Sequence, residues 1–163
     1  MAPLCRTSAE ITIFAPFNPK YNQKPQGAQK SGCWKILLME SVLIIGAAGQ
    51  LGSELTLALA EIHGGEQVIA TDSNPKSLEK FDCCKTQVLD VMDDAAVRRL
   101  VKSESVTQIY HLAAVLSATG EKNPLFAWRL NMDSLLSILE LSKEENLDKI
   151  YGPSSIAVFG PNT

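Results

Sequence analysis

Apolar positions in residues 40–163 follow two alternating patterns, short continuous runs and longer stretches with a helical repeat. Val42 to Ile45 is a run of four branched apolar residues, as in a strand buried on both faces. Leu51, Leu55, Ala58, Leu59 and Ile62 then recur at helical spacing, and Gly64-Gly65 stops that helix. Gln67 to Thr71 reads as a second strand. Val88-Leu89 is a weak third strand ending at Asp90-Val91, after which Asp93 or Asp94 caps a helix carrying Val97, Leu100 and Val101. Gln108 to Leu112 is the fourth strand. Val115 to Lys122, small and polar, reads as a loop. Asn123-Pro124 supplies a cap and first-turn proline for a long helix whose broad apolar surface is Phe126, Ala127, Leu130, Leu135, Ile138, Leu139 and Leu141. Lys149-Ile150-Tyr151 begins a fifth strand. Four strand-helix repeats and a fifth strand predict an α/β fold. Its parallel sheet has order 3-2-1-4-5, right-handed crossovers, helices on both faces and ligand at the carboxyl edge.

The first 39 residues break this pattern: Pro3, Pro16, Pro19 and Pro25, polar runs and one apolar patch, Ile11 to Phe14, give no sustained period. They read as a disordered tail or leader ahead of a domain at 40–163. A disordered tail, an organellar presequence and sequence upstream of a start at Met39 remain open. Charge divides at the same place. Residues 1–39 hold five Lys/Arg and one acid, whereas 40–163 hold ten and seventeen. An acidic globular part without clustered basic residues argues against nucleic acid as a partner, and no window approaches ~18 uninterrupted apolar residues, which argues against a membrane span. Cys5, Cys33, Cys83 and Cys84 include no C-x-x-C and lie far from both histidines, so no metal site is expected. Ordinary thiols fit a reducing, cytoplasmic compartment, with a mitochondrial location if residues 1–39 are a presequence.

The candidate chemistry lies behind the first strand. Gly46, Gly49 and Gly52 stand as G-x-x-G-x-x-G, one each for a tight turn, close backbone approach to a ligand, and helix-strand packing. The helix beginning near Gln50 aims free N–H groups at that turn, so a phosphate or pyrophosphate is the natural occupant. Asp72 follows the second strand, 20 residues beyond Gly52. There a carboxylate can accept from both hydroxyls of an adenosine ribose and repel a 2′-phosphate, favouring NAD over NADP. The alternative for Asp72 is a cap ahead of Ser73-Asn74-Pro75. Ala113-Ala114 are small enough for the nicotinamide half of a dinucleotide to lie against backbone, or simply for tight sheet packing. His111 reads as a packed core histidine with no partner nearby. Asn131 lies mid-helix, where an asparagine points to solvent or bonds local backbone. Gly46, Asp72, Ala113 and Ser155 all reach the carboxyl edge of a Rossmann-like sheet.

These residues, with Asp90-Val91, L-A-A at 112–114, Asn131 and P-S-S-I-A-V-F-G at 153–160, resemble the extended short-chain dehydrogenase/reductase (NAD-dependent epimerase/dehydratase) group over 42–163. Within it, L-S-A-T-G-E-K-N-P (116–124), F-A-W-R-L-N-M (126–132) and S-S-I-A-V-F-G-P (154–161) closely resemble the short-chain-type L-threonine 3-dehydrogenases. The resemblance implies NAD as cofactor and an L-threonine-like small-molecule substrate, oxidised to 2-amino-3-oxobutanoate, with a homodimer for the complete family member. It places Gly46, Gly49, Gln50, Leu51 and Gly52 at the pyrophosphate, Asp72 at the ribose, and Asp90 and Val91 at the adenine edge. Leu112, Ala113 and Ala114 fall on the nicotinamide side, with Asn131 among the cofactor-side residues. Ser155 falls at the catalytic serine or threonine position, its alternative being a strand-end hydroxyl that satisfies backbone. Leu116 and Ser117 are weaker candidates for the amino-acid pocket.

One departure stands against those matches. The group's general base is the tyrosine of Tyr-x-x-x-Lys, but the fourth residues after Tyr21, Tyr110 and Tyr151 are Pro25, Ala114 and Ser155. Loss of general acid-base help typically costs ~10²–10⁴ in rate. The chain therefore reads as the NAD-binding portion of such an oxidoreductase, truncated after strand five without its substrate lobe. As a fragment it is expected to bind NAD weakly or not at all and to be inactive, with strand five an open edge prone to self-association. The same portion of a nucleotide-sugar epimerase or dehydratase, and a non-catalytic nucleotide-binding remnant, are the alternatives.

Overall fold

The computed structural model describes residues 40–154, with 117–119 by backbone alone. Residues 1–39 and Ser155 lie outside the described residues. In chain order the elements are β1 (Val42–Ile45), α1 (Gln50–His63), β2 (Val68–Asp72), α2 (Pro75–Leu78), β3 (Lys85–Val88), α3 (Asp94–Ser103) and β4 (Gln108–His111). They continue with α4 (Ser117–Lys122), α5 (Pro124–Trp128), a π turn (Arg129–Asp133), α6 (Ser134–Glu145) and β5 (Lys149–Tyr151). All strand pairings are parallel, in the order β3-β2-β1-β4-β5.

β1 is the centre of the molecule because its alternating side chains feed two separate cores. Val42 and Ile44 pack with Leu59 and Ala60 of α1 and with Leu78 and Phe81 on one face. Leu43 and Ile45 pack with Val97, Leu100 and Val101 of α3 and with Ile138 and Leu141 of α6 on the other. All four β1 side chains are at most 1% exposed, each contributing about 1.5–3 kcal/mol on burial. A strand sandwiched in this way holds its carboxyl end, Ile45-Gly46, at a fixed height in the sheet, and that height positions the site.

Four expectations need correction. β3 is Lys85–Val88, not Val88-Leu89: all four residues are exposed on the edge of the sheet, so the strand carries no apolar run. Leu89 and Val91 turn into the core just after it, and the Leu89 N–H donates to the Asp72 carbonyl at 3.0 Å. α1 buries Gly52, Thr56, Leu59 and Ala60, while Leu51 and Ile62 are 65% and 73% exposed. Gly52 brings the first turn of α1 so close to the end of β1 that the small-residue face rotates inward, with the Thr56 hydroxyl donating to Gly52 O at 2.7 Å. The segment expected as a loop over Val115 to Lys122 contains α4. The single long helix is broken by the π turn, and of its apolar positions Ile138 and Leu141 are buried while Phe126 and Leu139 are each 44% exposed. Among the described residues no helix is long and apolar enough to cross a membrane, and no three metal-ligating side chains gather.

Candidate dinucleotide-binding cleft

At the carboxyl edge of the sheet a cleft of about 430 Å³ opens between the ends of β1, β2 and β4 and the start of α5. Its floor is the glycine turn. Gly46 has φ +83, and a Cβ there would sit 2.6 Å from the Ala113 nitrogen, so glycine meets both a left-handed backbone and the approach of the β4 strand end. A Cβ at Gly52 would press on the Gly46 and Ala47 carbonyl oxygens, so this glycine packs α1 on the turn itself, rather than on the strand as expected. At Gly49 only Gly46 O lies within reach, at 3.4 Å; crowding does not demand this glycine, and it leaves open space toward the cleft that it lines.

The turn's N–H groups divide into two sets. Gly46 and Ala47 donate to the Thr71 carbonyl, both at 2.9 Å, Ala48 donates to Asp72 Oδ2 at 3.2 Å, and Gly49 donates to Gly46 O at 3.2 Å. These bonds fix the turn to the end of β2. Gln50, Leu51 and Gly52 occupy the first three positions of α1, whose N-cap, Gly49, makes no side-chain cap and whose first turn holds no acid. Their N–H groups, with the helix dipole behind them, are free to meet an anion. The side chains of Gln50 and Leu51 are exposed, so these two can act through backbone.

Asp72 lines the cleft one strand away. Its Oδ1 accepts from the Asn74 N–H at 3.1 Å and its Oδ2 from Ala48. The turn-capping role is therefore present, and each oxygen retains capacity for a ligand hydroxyl. Asn74 takes over the helix cap, accepting from the Lys76 N–H at 3.1 Å. Beyond β3, Leu89, Asp90, Val91 and Met92 form the next stretch of wall. Asp90 Oδ1 accepts from the Met92 N–H at 2.9 Å and Val91 is buried, which leaves an apolar rim suited to a ring edge.

Leu112, Ala113, Ala114 and Val115 line the far end with Phe126 and Leu130. Asn131 does not line the cleft. Its side chain neither faces solvent nor bonds nearby backbone: Oδ1 accepts from Val115 N–H at 2.9 Å and Nδ2 donates to Val115 O at 3.0 Å. Carried by the π turn, it clamps the segment after β4 from 16 residues away. Asn131→Ala should cost about 1–2 kcal/mol and raise amide hydrogen exchange at Val115 roughly tenfold; unchanged protection would show that the clamp does not hold this wall. His111 also has a partner that local sequence concealed. Its Nε2 lies 3.0 Å from Ser134 Oγ, and the Ser134 hydroxyl donates to Leu130 O. With that hydrogen committed, the imidazole must be the donor, which sets the Nε2–H tautomer and leaves Nδ1 bare and buried without a partner.

Of the other sequence candidates, Leu116 is 79% exposed and outside the cleft lining, Ser117 begins α4, and Ser155 lies beyond the described residues. Residues the sequence did not single out include Ser73, Leu89, Met92, Phe126 and Leu130 as cleft lining. Leu89 and Met92 carried a signal, apolar character just past the end of β3, whereas Phe126 and Leu130 reach the cleft from α5 and the π turn. Tyr110 is unsuited to proton transfer in this fold: it stacks on Tyr151 with ring centroids 4.3 Å apart, and burial pushes its phenol up to about 12. Cys83 is exposed, and burial together with the Cys83 thiol pushes Cys84 up to about 11. Cys84 is thus a thiol near neutrality.

The glycine cradle, the unengaged N–H groups of α1, the Asp72 carboxylate and the small-residue far wall fit a dinucleotide spanning the cleft. Comparison with known proteins gives the family. The profile of the NAD dependent epimerase/dehydratase family matches residues 42–163. An uncharacterized epimerase/dehydratase of Staphylococcus saprophyticus is 43% identical over 126 residues, covering 77% of this chain and 39% of that protein. A partial-consensus L-threonine 3-dehydrogenase structure is 52% identical, with TM-score 0.68, over 76% of this chain and 38% of that one. The GalE-like L-threonine dehydrogenase of Cupriavidus necator in its holo form is 47% identical, with TM-score 0.71, over 76% and 40%. A UDP-glucose 4-epimerase is 27% identical, with TM-score 0.65, over 74% and 37%. The chain thus spans about two fifths of the length of the relatives it matches. With its sheet order, its glycine turn and this match over most of its length, the chain belongs to the NAD-dependent epimerase/dehydratase family.

Proposed function

We propose that residues 42–154 form the cofactor-binding portion of an NAD-dependent oxidoreductase of the L-threonine 3-dehydrogenase type. The observation that carries the binding role is the convergence of three strand ends on one cleft: Gly46 after β1, Asp72 at the end of β2 and Leu112–Ala114 after β4. In this reading the N–H groups of Gln50, Leu51 and Gly52 hold the pyrophosphate and Asp72 accepts from the adenosine ribose. Asp90 and Val91 border the adenine, and Ala113 and Ala114 lie along the nicotinamide, with Asn131 acting indirectly by holding Val115. Bound NAD would supply the hydride acceptor. The remaining chain residues bind and orient it and exclude water from one of its faces; Ser155, at the group's serine or threonine position, would hydrogen-bond the substrate oxygen. The general base is not among this sequence's tyrosines, none of which begins a Tyr-x-x-x-Lys.

The choice of substrate class rests on the gradient of likeness over similar shares of the chain, 52% and 47% to the threonine dehydrogenases against 27% to the UDP-glucose epimerase. A domain exchange tests it. Residues 42–154 replace the matching portion of the Cupriavidus necator enzyme, and a parallel chimera uses the UDP-glucose 4-epimerase. The first is expected to reduce NAD with L-threonine and the second to be inactive with UDP-glucose. A folded first chimera without L-threonine activity, beside an active second one, would transfer the assignment to the sugar-nucleotide enzymes.

A further inference from the structure

Lys80, in the segment after α2, reaches back to the glycine turn. Its Nζ donates to the Ala48 carbonyl at 3.2 Å and to Ser53 Oγ at 2.6 Å, and the Ser53 hydroxyl in turn donates to Gly49 O at 2.7 Å. The ammonium also lies 5.1 Å from the centroid of the buried Phe81 ring. Although exposed, it is therefore tethered at more than one point. Ala48 is gripped from both ends: its carbonyl accepts from Lys80 while its N–H donates to Asp72 Oδ2 at 3.2 Å. A positive and a negative charge thus flank a single residue of the turn, Asp72 within the cleft lining and Lys80 outside it. Two of the three ammonium hydrogens are committed, leaving one for a ligand.

We infer that Lys80 is a specificity determinant of the adenosine end, offering a counter-charge to a 2′-phosphate that Asp72 alone would repel. Discrimination between NAD and its 2′-phosphorylated form is then set by the Asp72–Lys80 pair. The carboxylate disfavours the phosphate, and the ammonium offsets part of that repulsion across one peptide unit. A purely structural lysine would brace the turn and affect every adenine nucleotide equally. A charge acting on the 2′ position affects only those that carry a phosphate there.

The inference rests on the cofactor reading, and the test separates the two. The full 163-residue chain is titrated with 5′-AMP and with adenosine 2′,5′-bisphosphate, following the backbone amides of residues 46–53 by NMR. Lys80→Gln keeps a hydrogen-bond donor for Ala48 O and removes the charge. It is expected to weaken the bisphosphate about fivefold at low salt while leaving 5′-AMP within about twofold. Asp72→Asn should strengthen the bisphosphate, and Asp72→Asn with Lys80→Gln should lose that gain. If 5′-AMP binds and Lys80→Gln moves both nucleotides equally, or neither, the inference is overturned and the cofactor reading stands. If neither nucleotide perturbs the turn of the unsubstituted chain, the cofactor reading fails and the inference with it.

Discussion

Gly46→Ala is expected to destabilise the domain by about 2–5 kcal/mol, a large share of the ~5–15 kcal/mol that holds an ordinary domain folded. Two costs combine. The backbone at φ +83 penalises any side chain by roughly 1–2 kcal/mol. The added Cβ would also meet the Ala113 nitrogen at 2.6 Å, its Cα at 2.8 Å and the Leu112 carbonyl carbon at 2.9 Å. Those are backbone atoms of the neighbouring strand end, which cannot swing aside as a flexible side chain would, so about 1–3 kcal/mol of overpacking is added. Gly49→Ala is the control. Its φ is −66 and its nearest neighbour is 3.4 Å away, so stability should change by less than about 1 kcal/mol. Urea unfolding of both variants checks the contrast, and equal losses would show that the turn is not pressed against β4.

Acidification should remove up to about 3 kcal/mol of stability through His111 alone. Burial lowers its pKa from 6.5 to about 4. Between those values the unfolded chain binds a proton that the folded chain refuses. The stabilisation is therefore complete above pH 6.5, declines as pH falls toward 4, and does not decline further below that. Asp94 acts in a lower window, because the Ser137 hydroxyl and Arg98 hold its carboxyl below the usual range. Comparing the pH dependence of unfolding for the unsubstituted chain and His111→Gln isolates the histidine. The variant keeps a donor for Ser134, and its stability should change less from pH 6.5 to 4. Parallel curves would mean that His111 titrates normally in the fold. The position gives the effect functional weight, since His111 ends β4 immediately before Leu112 and Ala113 of the cleft wall.

What could be read from the sequence was local or strongly periodic. Val42–Ile45 announced a doubly covered strand, Asn123-Pro124 a helix start whose Asn123 side chain accepts from the Phe126 N–H at 3.2 Å, and Gly46 and Asp72 the two ends of the cleft floor. What was not legible depends on where an element lies in three dimensions. β3 carries no apolar run because it is the sheet edge, paired with β2 alone, and its Lys85 side chain donates to Glu104 at 3.0 Å. The outward stripe of Leu51 and Ile62 on α1 has helical period but the wrong face, because Gly52 decided the rotation. The side-chain pairs that shape the cleft are long-range. Asn131 with Val115, His111 with Ser134, and Lys80 with Ala48 join positions 16, 23 and 32 residues apart, where neither residue type nor spacing marks the partner. The π turn that aims Asn131 has no apolar signature of its own.

In the proposed reading the ends of β1, β2 and β4 hold one NAD molecule across the sheet edge. The most direct measurement of this is an amide-resolved NMR titration of the chain with NAD at millimolar concentration. Weak, saturable shifts are expected at Gly46 to Gly52, Asp72, Asp90-Val91 and Leu112 to Val115, diminished by Asp72→Ala. Shifts absent from all of these, or confined to the separate groove between Pro75 and Val88, would contradict the account.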